Sequence, residues 1–453
     1  MRATANAMTT DESRRVVDVQ EFIDAHPLSP LQRVLLILCF LVVAVDGFDT
    51  AIIGFIAPAI QTEWGLQISQ LGPLLAAGLF GLMIGAFAGG PLADRHGRKT
   101  LLIASMVLFG GASLASALST GLQSLTWLRF LTGVGLGGAM PTTITIASEY
   151  CPKARRSSLV TLMFCGFTIG SAMGGFIASH VLPVYGWRAL LIGGGVAPLL
   201  LAPVLGWVLP ESVRYLVMKG RAQDRVRRVL SQIAPAAQLG GVTFVGAAAP
   251  TVSPVRQLFA GGLFAGTLLL WVSFFMSLLI VYLLTNWMPT LMRESGASLS
   301  NAARMAAMFQ IGGTLGAILV GRLMDRFEPH GVLCGAYLAG AASVILVSLT
   351  TTAPALMMCA IFAAGLCVSG GQVGANALSA AFYPTPYRAT GVSWANGIGR
   401  SGSIVGTLLA GFLLGLGWRP TTVYALVAIP AVISALALAT LGVVRRRPRR
   451  IVD

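Results

Sequence analysis

The chain has 453 residues, of which 55% are hydrophobic and 10% are charged, and its formal net charge is +15. Soluble proteins carry roughly 25% charged residues, so this composition excludes a water-facing globular surface. The basic residues lie between long apolar blocks and form no single stripe, which argues against nucleic acid as a partner. Composition therefore predicts a protein of the lipid bilayer, with its basic residues near an anionic leaflet.

Six apolar runs follow a polar amino-terminal tail, residues 1–33, which mixes acidic and basic side chains and does not have the pattern of a cleavable signal peptide. Each run is long enough to cross the hydrocarbon core, which takes about 20 residues. We number them spans 1–6, and together they predict a six-helix bundle over 34–209. They lie near 34–60, 69–92, 100–119, 122–147, 157–182 and 188–209.

A second set of six runs follows residues 210–258, which are first polar and basic and then rich in Ala, Gly and Pro. We interpret 210–258 as a cytoplasmic linker with one or two short surface helices. The second bundle is predicted over 259–444, with a basic tail at 445–453. Its spans 7–12 lie near 260–289, 301–324, 331–350, 354–380, 390–416 and 420–444. The predicted fold class is an all-α membrane protein with twelve transmembrane helices.

The two sets of spans repeat each other. The sequence GPLADR at 90–95 recurs as GRLMDR at 321–326, and GWR at 186–188 recurs as GWR at 417–419, both with an offset of 231. Two matches at one offset, each in an equivalent loop, indicate a duplicated unit and two pseudo-symmetric bundles. Duplicated halves of this kind place a substrate site between them, near the middle of the membrane.

The loop charges predict the orientation. Of the 31 Lys and Arg residues, 25 lie in the termini, the linker and the loops between spans 2–3, 4–5, 8–9 and 10–11. The opposite loops contain only Arg188, Arg293 and Arg419. By the positive-inside rule, both termini and the linker are predicted to be cytoplasmic.

Two acidic residues, Asp46 and Asp49, interrupt span 1. An ionisable group at the centre of a span costs at least about 2.5–3.5 kcal/mol, so it needs a function or a partner to persist. Their spacing of three places both carboxylates on one helix face. Two carboxylates in one apolar site cannot both ionise cheaply, so the pair is suited to carry a proton. The alternative is that both only pair with Arg129 or Arg400 to hold the bundle together.

Arg400 and Arg129 also fall within spans. Arg400 lies about ten residues into span 11 and is the first candidate for binding a substrate anion, because a guanidinium binds a carboxylate through two parallel hydrogen bonds. Its alternative role is to pair with an aspartate of span 1. Arg129, in span 4, could bind substrate, couple to the proton or lock its helix. Arg304 lies near the end of span 8 and is expected to extend its side chain to the interface.

Other polar and aromatic residues in the spans could complete a pocket for a planar ligand, on which aromatic rings would stack. Each of them, taken alone, is more often a packing residue. These candidates are Tyr282, Asn286, Gln310, Asn376, Trp394, Asn396, Phe164 and Phe167. No nucleophile–base set and no metal-ligand cluster occurs, so the sequence predicts neither an enzyme nor a cofactor or metal site.

The loop after span 2, residues 90–99, is predicted to be a latch that holds one side of the protein shut and releases as the two halves move. Asp94 can face a helix N-terminus, where the helix dipole favours an anion. Arg95 and Arg98 can pair with carboxylates such as Glu149, and Gly97 allows a tight turn. The loop is not a phosphate-binding loop, because the preceding strand and the GK[ST] ending are missing.

Several motifs resemble those of a known family. Residues 90–99, the sequence RFLTGVGLGG at 129–138 and PESVR at 210–214 resemble signatures of the major facilitator superfamily. DGFD at 46–49 resembles the DGxD signature of the aromatic acid:proton symporter family, and the likeness covers almost the whole chain. Within that family it is similar to the bacterial 4-hydroxybenzoate and protocatechuate transporters.

This resemblance implies the major facilitator fold and proton symport of hydroxylated benzoates into the cell, by a monomer in the bacterial inner membrane. The second loop copy departs from the family pattern, because FEPH at 327–330 lacks the GRK of the first, and we expect a weaker latch there. The positions that match residues important in the family are Asp46, Asp49, Asp94, Arg129, Glu149, Asp325, His330, Arg388 and Arg400.

Four other functions stay open at this point. The same fold could carry another organic anion, such as benzoate, gentisate, vanillate or a dicarboxylate, or it could carry a sugar. A proton-driven drug exporter is a further alternative, although such pumps usually favour cations and the deep arginines here suit anions. A role as a sensor of aromatic acids is the last alternative, and no soluble signalling domain supports it.

Overall fold

The structure is a computed structural model that describes most of the chain. The early tail, part of the linker and the last seven residues of the predicted basic tail lie outside the described residues. The described residues are 16–219, 223–235, 237, 239, 242–245, 255–259, 262–350, 353–384 and 388–446.

The first bundle contains five continuous helical segments. The last of them, α6 (Lys153–Val208), has 56 residues and would be about 84 Å long as one straight helix. This length is far more than one crossing of a membrane needs. Gly186 interrupts it with φ 74° and ψ 178°, so α6 crosses twice. The segments are α2 (Pro30–Trp64), α3 (Ile68–His96), α4 (Arg98–Ala117), α5 (Leu122–Tyr150) and α6 (Lys153–Val208).

The second bundle repeats this arrangement. A five-residue π-helical segment, Gly365–Ser369, joins α12 and α13 into one span. Gly417, the repeat partner of Gly186, also has a positive φ of 82° and ends α14 before α15 begins. The helices are α9 (Phe264–Glu294), α10 (Leu299–Arg326), α11 (Pro329–Leu349), α12 (Pro354–Ala364), α13 (Gly370–Phe382), α14 (Arg388–Gly415) and α15 (Pro420–Arg446). The prediction of twelve apolar spans in two bundles is confirmed for the described residues.

A small cap lies on the side of the first bundle that carries the basic loops, which we call the basic side. It contains α1 (Val19–Asp24), α7 (Val213–Met218) and α8 (Gln223–Ile233), so the predicted short linker helices are present. The predicted all-α class is confirmed, and one short pairing that the sequence did not predict joins Val16–Asp18 (β1) in parallel to Thr243–Val245 (β2). Strands of three residues carry too little pattern to be recognised, since only tertiary packing brings them together.

The two bundles meet most closely in the half of the membrane away from the basic side. A Cβ added to Gly54 of α2 would lie 2.7 Å from the carbonyl oxygen of Thr285 in α9, so only glycine allows this crossing. A Cβ on Gly411 of α14 would similarly lie 3.0 Å from the Cα of Gly72 in α3. These backbone contacts join the two bundles toward the side opposite to the basic loops.

Candidate functional site

The centre of the first bundle contains a buried ion pair. Arg129 Nη1 of α5 lies 3.3 Å from Asp49 Oδ2 of α2, and both side chains are at most 3% exposed. Ser113 Oγ donates to Asp49 Oδ1 at 3.0 Å, and Arg129 Nη2 donates to the hydroxyls of Ser113, Ser116 and Thr132 at 3.1–3.3 Å. The sequence predicted Asp49 and Arg129 as site residues, and the structure brings them together. In this conformation the charge of Arg129 is compensated by the protein itself.

Asp46 has different surroundings, although it lies one helical turn from Asp49. Its carboxylate is buried and accepts one hydrogen bond, from Thr50 Oγ1 at 3.1 Å, while Oδ2 has no hydrogen-bond partner among the described residues. The carboxylate lies within the electrostatic reach of both Arg400 and Asp49. Thr50 was not predicted, although its spacing of four from Asp46 is a recognisable helical pairing.

Arg400 lies where the two bundles face each other. Its Nη1 donates to the hydroxyl of Tyr282 in α9 at 2.9 Å, and its Nη2 lies 3.9 Å from Met140 Sδ, which belongs to α5 of the first bundle. Among the described residues, Arg400 forms no ion pair within 4 Å. A half-buried guanidinium whose charge has no carboxylate partner among the described residues has the chemistry to bind an anion.

The other predicted pocket residues are dispersed. Gln310 of α10 is buried, and its Nε2 donates to Thr285 Oγ1 at 3.3 Å. Thr285 lies one turn from Tyr282 along α9. Asn376 instead accepts a hydrogen bond from Asn396 at 3.2 Å. Trp394 is 43% exposed and stacks on Trp271, with 5.9 Å between the ring centroids. It lies six residues from Arg400 and therefore on a different face of α14.

A narrow cavity of about 30 Å³ adjoins the buried ion pair. An engineered protein cavity that binds benzene has a volume of about 150 Å³. The cavity here is far smaller, so it does not accommodate an aromatic ring. Asn286 of α9 lines it from the second bundle, together with four polar residues of the first bundle and an apolar wall. The polar lining residues are Asp49, Thr50, Arg129, Thr132 and Asn286.

The predicted latch forms a second cluster, at the basic side of the first bundle. Arg98 is buried, and its guanidinium lies 2.8 Å from Asp94 and 3.8 Å from Glu149. It also lies 5.3 Å from the ring centroid of Tyr215, whose hydroxyl donates to the backbone carbonyl of Arg95. The predicted pairing of Arg98 with Glu149 is therefore present, and the side chain of Arg95 is exposed.

The carboxylate at a helix N-terminus in this cluster is Glu211, and the prediction that Asp94 takes this place is not met. Glu211 Oε1 accepts from the backbone N–H of Lys99 at 3.1 Å, in the first turn of α4, and from that of Ser212. Asp94, near the end of α3, faces Arg98, the first residue of α4, and is 66% exposed. Gly97 has φ 102° and ψ 153°, and a Cβ there would lie 2.3 Å from Glu211 Oε2. The PESVR motif at 210–214 singled out Glu211 in the sequence, but the motif does not predict which groups its carboxylate contacts.

The second loop copy is built differently. Glu328 occupies the position 231 residues after Gly97 and caps α11, with its carboxylate accepting from the N–H of Gly331 at 2.8 Å and lying 2.5 Å from His330 Nδ1. Partial burial alone would raise the pKa of Glu328, but the hydrogen bonds with His330 and Gly331 outweigh it and lower that pKa. Asp325 is exposed and makes no ion pair with the described residues, and Arg388 is exposed at the start of α14. The predicted gating residues of this copy are therefore not brought together.

Comparisons with known proteins agree with this architecture. The family model described as Major Facilitator Superfamily matches residues 39–353 and 270–452. The 4-hydroxybenzoate transporter PcaK of Pseudomonas aeruginosa is 49% identical over 94% of this chain and 96% of its own length. The gallate transporter of Pseudomonas putida is 43% identical over 95% of this chain and 96% of its own length. An inward-facing bacterial homologue of the human lysosomal transporter Spinster, 18% identical, superposes with a TM-score of 0.70 over 93% of this chain and 98% of its own, which shows a shared fold.

Proposed function

The chain belongs to the Major Facilitator Superfamily, and from that premise we propose that it takes up aromatic carboxylates such as 4-hydroxybenzoate, together with protons, across the bacterial inner membrane. The observation that carries this proposal is Arg400, a guanidinium between the bundles without a carboxylate partner among the described residues. Relatives that match nearly the whole chain are named for the transport of hydroxylated benzoates. The multi-pass architecture supports transport.

Arg400 binds the substrate carboxylate in this proposal. The hydrogen bond to Tyr282 holds one edge of the guanidinium and leaves its remaining N–H groups for a bidentate contact. The phenol ring of Tyr282 lies within 6.0 Å of the guanidinium, where it can also contact an aromatic ring. Gln310 of α10, which donates to Thr285 one turn beyond Tyr282 on α9, is the candidate partner for a ring hydroxyl.

Asp46 couples the proton to the substrate. An ionised Asp46 and a substrate carboxylate would both neutralise Arg400, so they compete for the same positive charge. A proton on Asp46 removes this competition, and the loaded site then holds one proton and one carboxylate beside one guanidinium. The charge of the loaded and the empty site is therefore equal, and both states can cross between the two membrane sides.

Asp49 and Arg129 form a compensated charge pair in this conformation, and a rearrangement of the pair accompanies the movement of the bundles. The arrangement fits alternating access, because backbone contacts at Gly54 and Gly411 join the two bundles on the side away from the basic loops, whereas Asp94, Arg98 and Glu149 of the latch all belong to the first bundle. With both termini cytoplasmic, the conformation described here faces inward. One chain contains the complete site, so a monomer suffices.

Uptake of radiolabelled 4-hydroxybenzoate into proteoliposomes tests the proposal. A pH gradient, alkaline inside, should drive accumulation, and a protonophore should collapse it to equilibration. Unlabelled protocatechuate and gallate should compete, whereas an aliphatic dicarboxylate and xylose should not. Accumulation unchanged by the protonophore would contradict proton coupling, and gradient-driven extrusion of cationic dyes would favour a drug exporter instead.

A further inference from the structure

We propose that one water molecule binds in the cavity beside the buried ion pair, held by Arg129 and Asn286. This water connects the ion pair of the first bundle to the helix of the second bundle that positions Arg400. Its role in coupling rests on the proposed function, but its binding does not. The ligand of this site is thus a single water, and Asn286 becomes a positioning residue for transport.

The cavity has the size and the polar groups that a water requires. A buried site needs roughly 10–15 Å³ and two to four polar partners to hold a water, and this cavity has about 30 Å³. Two of its lining residues have fully buried polar atoms with no hydrogen-bond partner in the part of the chain that the structure describes: Arg129 Nε, which is a donor, and Asn286 Oδ1, which is an acceptor. A water that accepts from Arg129 and donates to Asn286 satisfies both and leaves its second hydrogen for Asp49 or Thr50 on the same wall.

The orientation of the Asn286 amide follows from its other hydrogen bond. Thr407 Oγ1 donates to the carbonyl of Ser403 at 2.9 Å, so it can only accept from Asn286, at 3.1 Å. The Asn286 nitrogen is therefore assigned to Thr407, and the oxygen faces the cavity. Asn286 is 1% exposed, so this oxygen has no access to bulk water, and leaving it without a hydrogen-bond partner would destabilise the folded protein.

The helix crossing places Asn286 against the first bundle. Gly54 of α2 contacts the backbone of Asn286 directly, since a Cβ at Gly54 would lie 2.9 Å from the Asn286 carbonyl oxygen. Thr50, one turn before Gly54, lines the cavity from the same face of α2. No side chain separates the two helices at this point, so a small polar molecule can be shared between them.

Asn286 also lies on the same face of α9 as Tyr282, four residues earlier, whose hydroxyl accepts from Arg400. One face of α9 therefore contacts the substrate guanidinium at one turn and the ion-pair cavity at the next. When Arg129 moves away from Asp49, its Nε–H also leaves the water, and α9 loses this contact. The state of the ion pair is thereby transmitted to the helix that holds Arg400.

The substitution Asn286→Leu, which keeps the size and removes the acceptor, tests the proposal in proteoliposomes. We expect gradient-driven accumulation of 4-hydroxybenzoate to fall about tenfold, while exchange of internal for external substrate stays within about threefold of the parent protein. Thr407→Val, which frees the amide to turn, should produce a smaller loss in the same assay. Asn301→Leu, at an exposed position of α10, is the matched control and should change neither activity.

Equal losses of accumulation and exchange would mean that Asn286 has only a structural role, and no loss in either would also overturn the proposal. A high-resolution experimental map provides the independent readout. It should contain solvent density within hydrogen-bond distance of both Arg129 Nε and Asn286 Oδ1, which disappears in Asn286→Leu, and its absence from the parent protein would overturn the water site. If the parent protein transports no aromatic acid, the proposed function fails while this map still decides the water site.

Discussion

The two bundles share a frame but differ in their central charges. At the repeat offset of 231, both have a glycine of positive φ between the last two spans, at Gly186 and Gly417. The buried pair Asp49 and Arg129, however, corresponds to Ile280 and Ala360 in the second bundle. Arg400 likewise corresponds to Ile169 in the first, and it has no ion-pair partner among the described residues. The frame of the fold is thus duplicated, whereas the charges are divided: a compensated pair in one bundle and an available cation in the other.

The loops on the basic side differ in a similar way. In the first bundle Gly97 leaves room for Glu211, a carboxylate that comes from the linker, at the start of α4. In the second, Glu328 stands at the equivalent position and caps α11 with its own side chain. One helix start depends on a distant segment and the other on its own cap. Substitutions at these positions test the comparison.

Breaking the compensated pair should have the largest effect. Asp49→Asn leaves the Arg129 charge buried without a counter-charge, which costs about 3–5 kcal/mol of unfolding free energy. Thermal unfolding of the detergent-solubilised protein should show a large decrease in Tm. The double variant Asp49→Asn with Arg129→Leu should recover much of that stability without recovering transport. A double variant as unstable as the single one would contradict the ion pair.

Removing the available cation should affect transport and leave folding almost unchanged. Arg400→Gln deletes the charge that binds the carboxylate, and losing one partner of such a contact costs about 2–5 kcal/mol, or at least 30-fold in apparent affinity. Concentration-dependent uptake should show this loss, with Tm within a few degrees of the parent. Arg304→Gln, at an exposed arginine of α10, is the control. A large decrease in Tm for Arg400→Gln would indicate a structural role instead.

Gly97→Ala should have an intermediate effect on stability. Its φ and ψ lie in a region that is almost restricted to glycine, where a side chain costs about 1–3 kcal/mol, and the new methyl group would displace Glu211. Gly90→Ala is a matched control, since nothing lies within 4 Å of a Cβ there. Tm should decrease for the first variant and stay constant for the second. Equal decreases would mean that the contact with Glu211 is unimportant.

Glu328→Ala should have the smallest effect, about 0.5–1 kcal/mol, because it removes a helix cap that is partly exposed. Since folding lowers the pKa of Glu328, its contribution is fully present above the ordinary value of 4.5 and is lost as the pH falls through the lowered pKa. The difference in Tm between the parent and Glu328→Ala should therefore be constant from pH 7 to 5 and shrink on further acidification. A difference that grows in acid would contradict this sign.

The spans could be predicted because a membrane-crossing helix needs a long apolar run, which is visible in the sequence. The central charges could be predicted from the same runs, because an ionisable residue inside one is costly and therefore easily recognised. The sequence could not predict which aspartate pairs with Arg129, because that depends on how α2 is rotated against α5. Asp46 and Asp49 differ in sequence position by one turn, yet only Asp49 contacts Arg129. Glu211 and Asn286 were recognised as residues of a motif and of a span, but their partners come from distant helices.

The pairing of β1 with β2 limits how far the bundles can separate. The linker as far as Val245 is held on the first bundle through this small sheet, and Leu258 O accepts a hydrogen bond from Thr267 of the second bundle. The tether between the bundles therefore runs only from Val245 to Val255, ten residues further along the chain. Fully extended, ten residues span at most about 33–36 Å. Shortening this stretch by several residues is a direct way to restrict the travel of one bundle relative to the other.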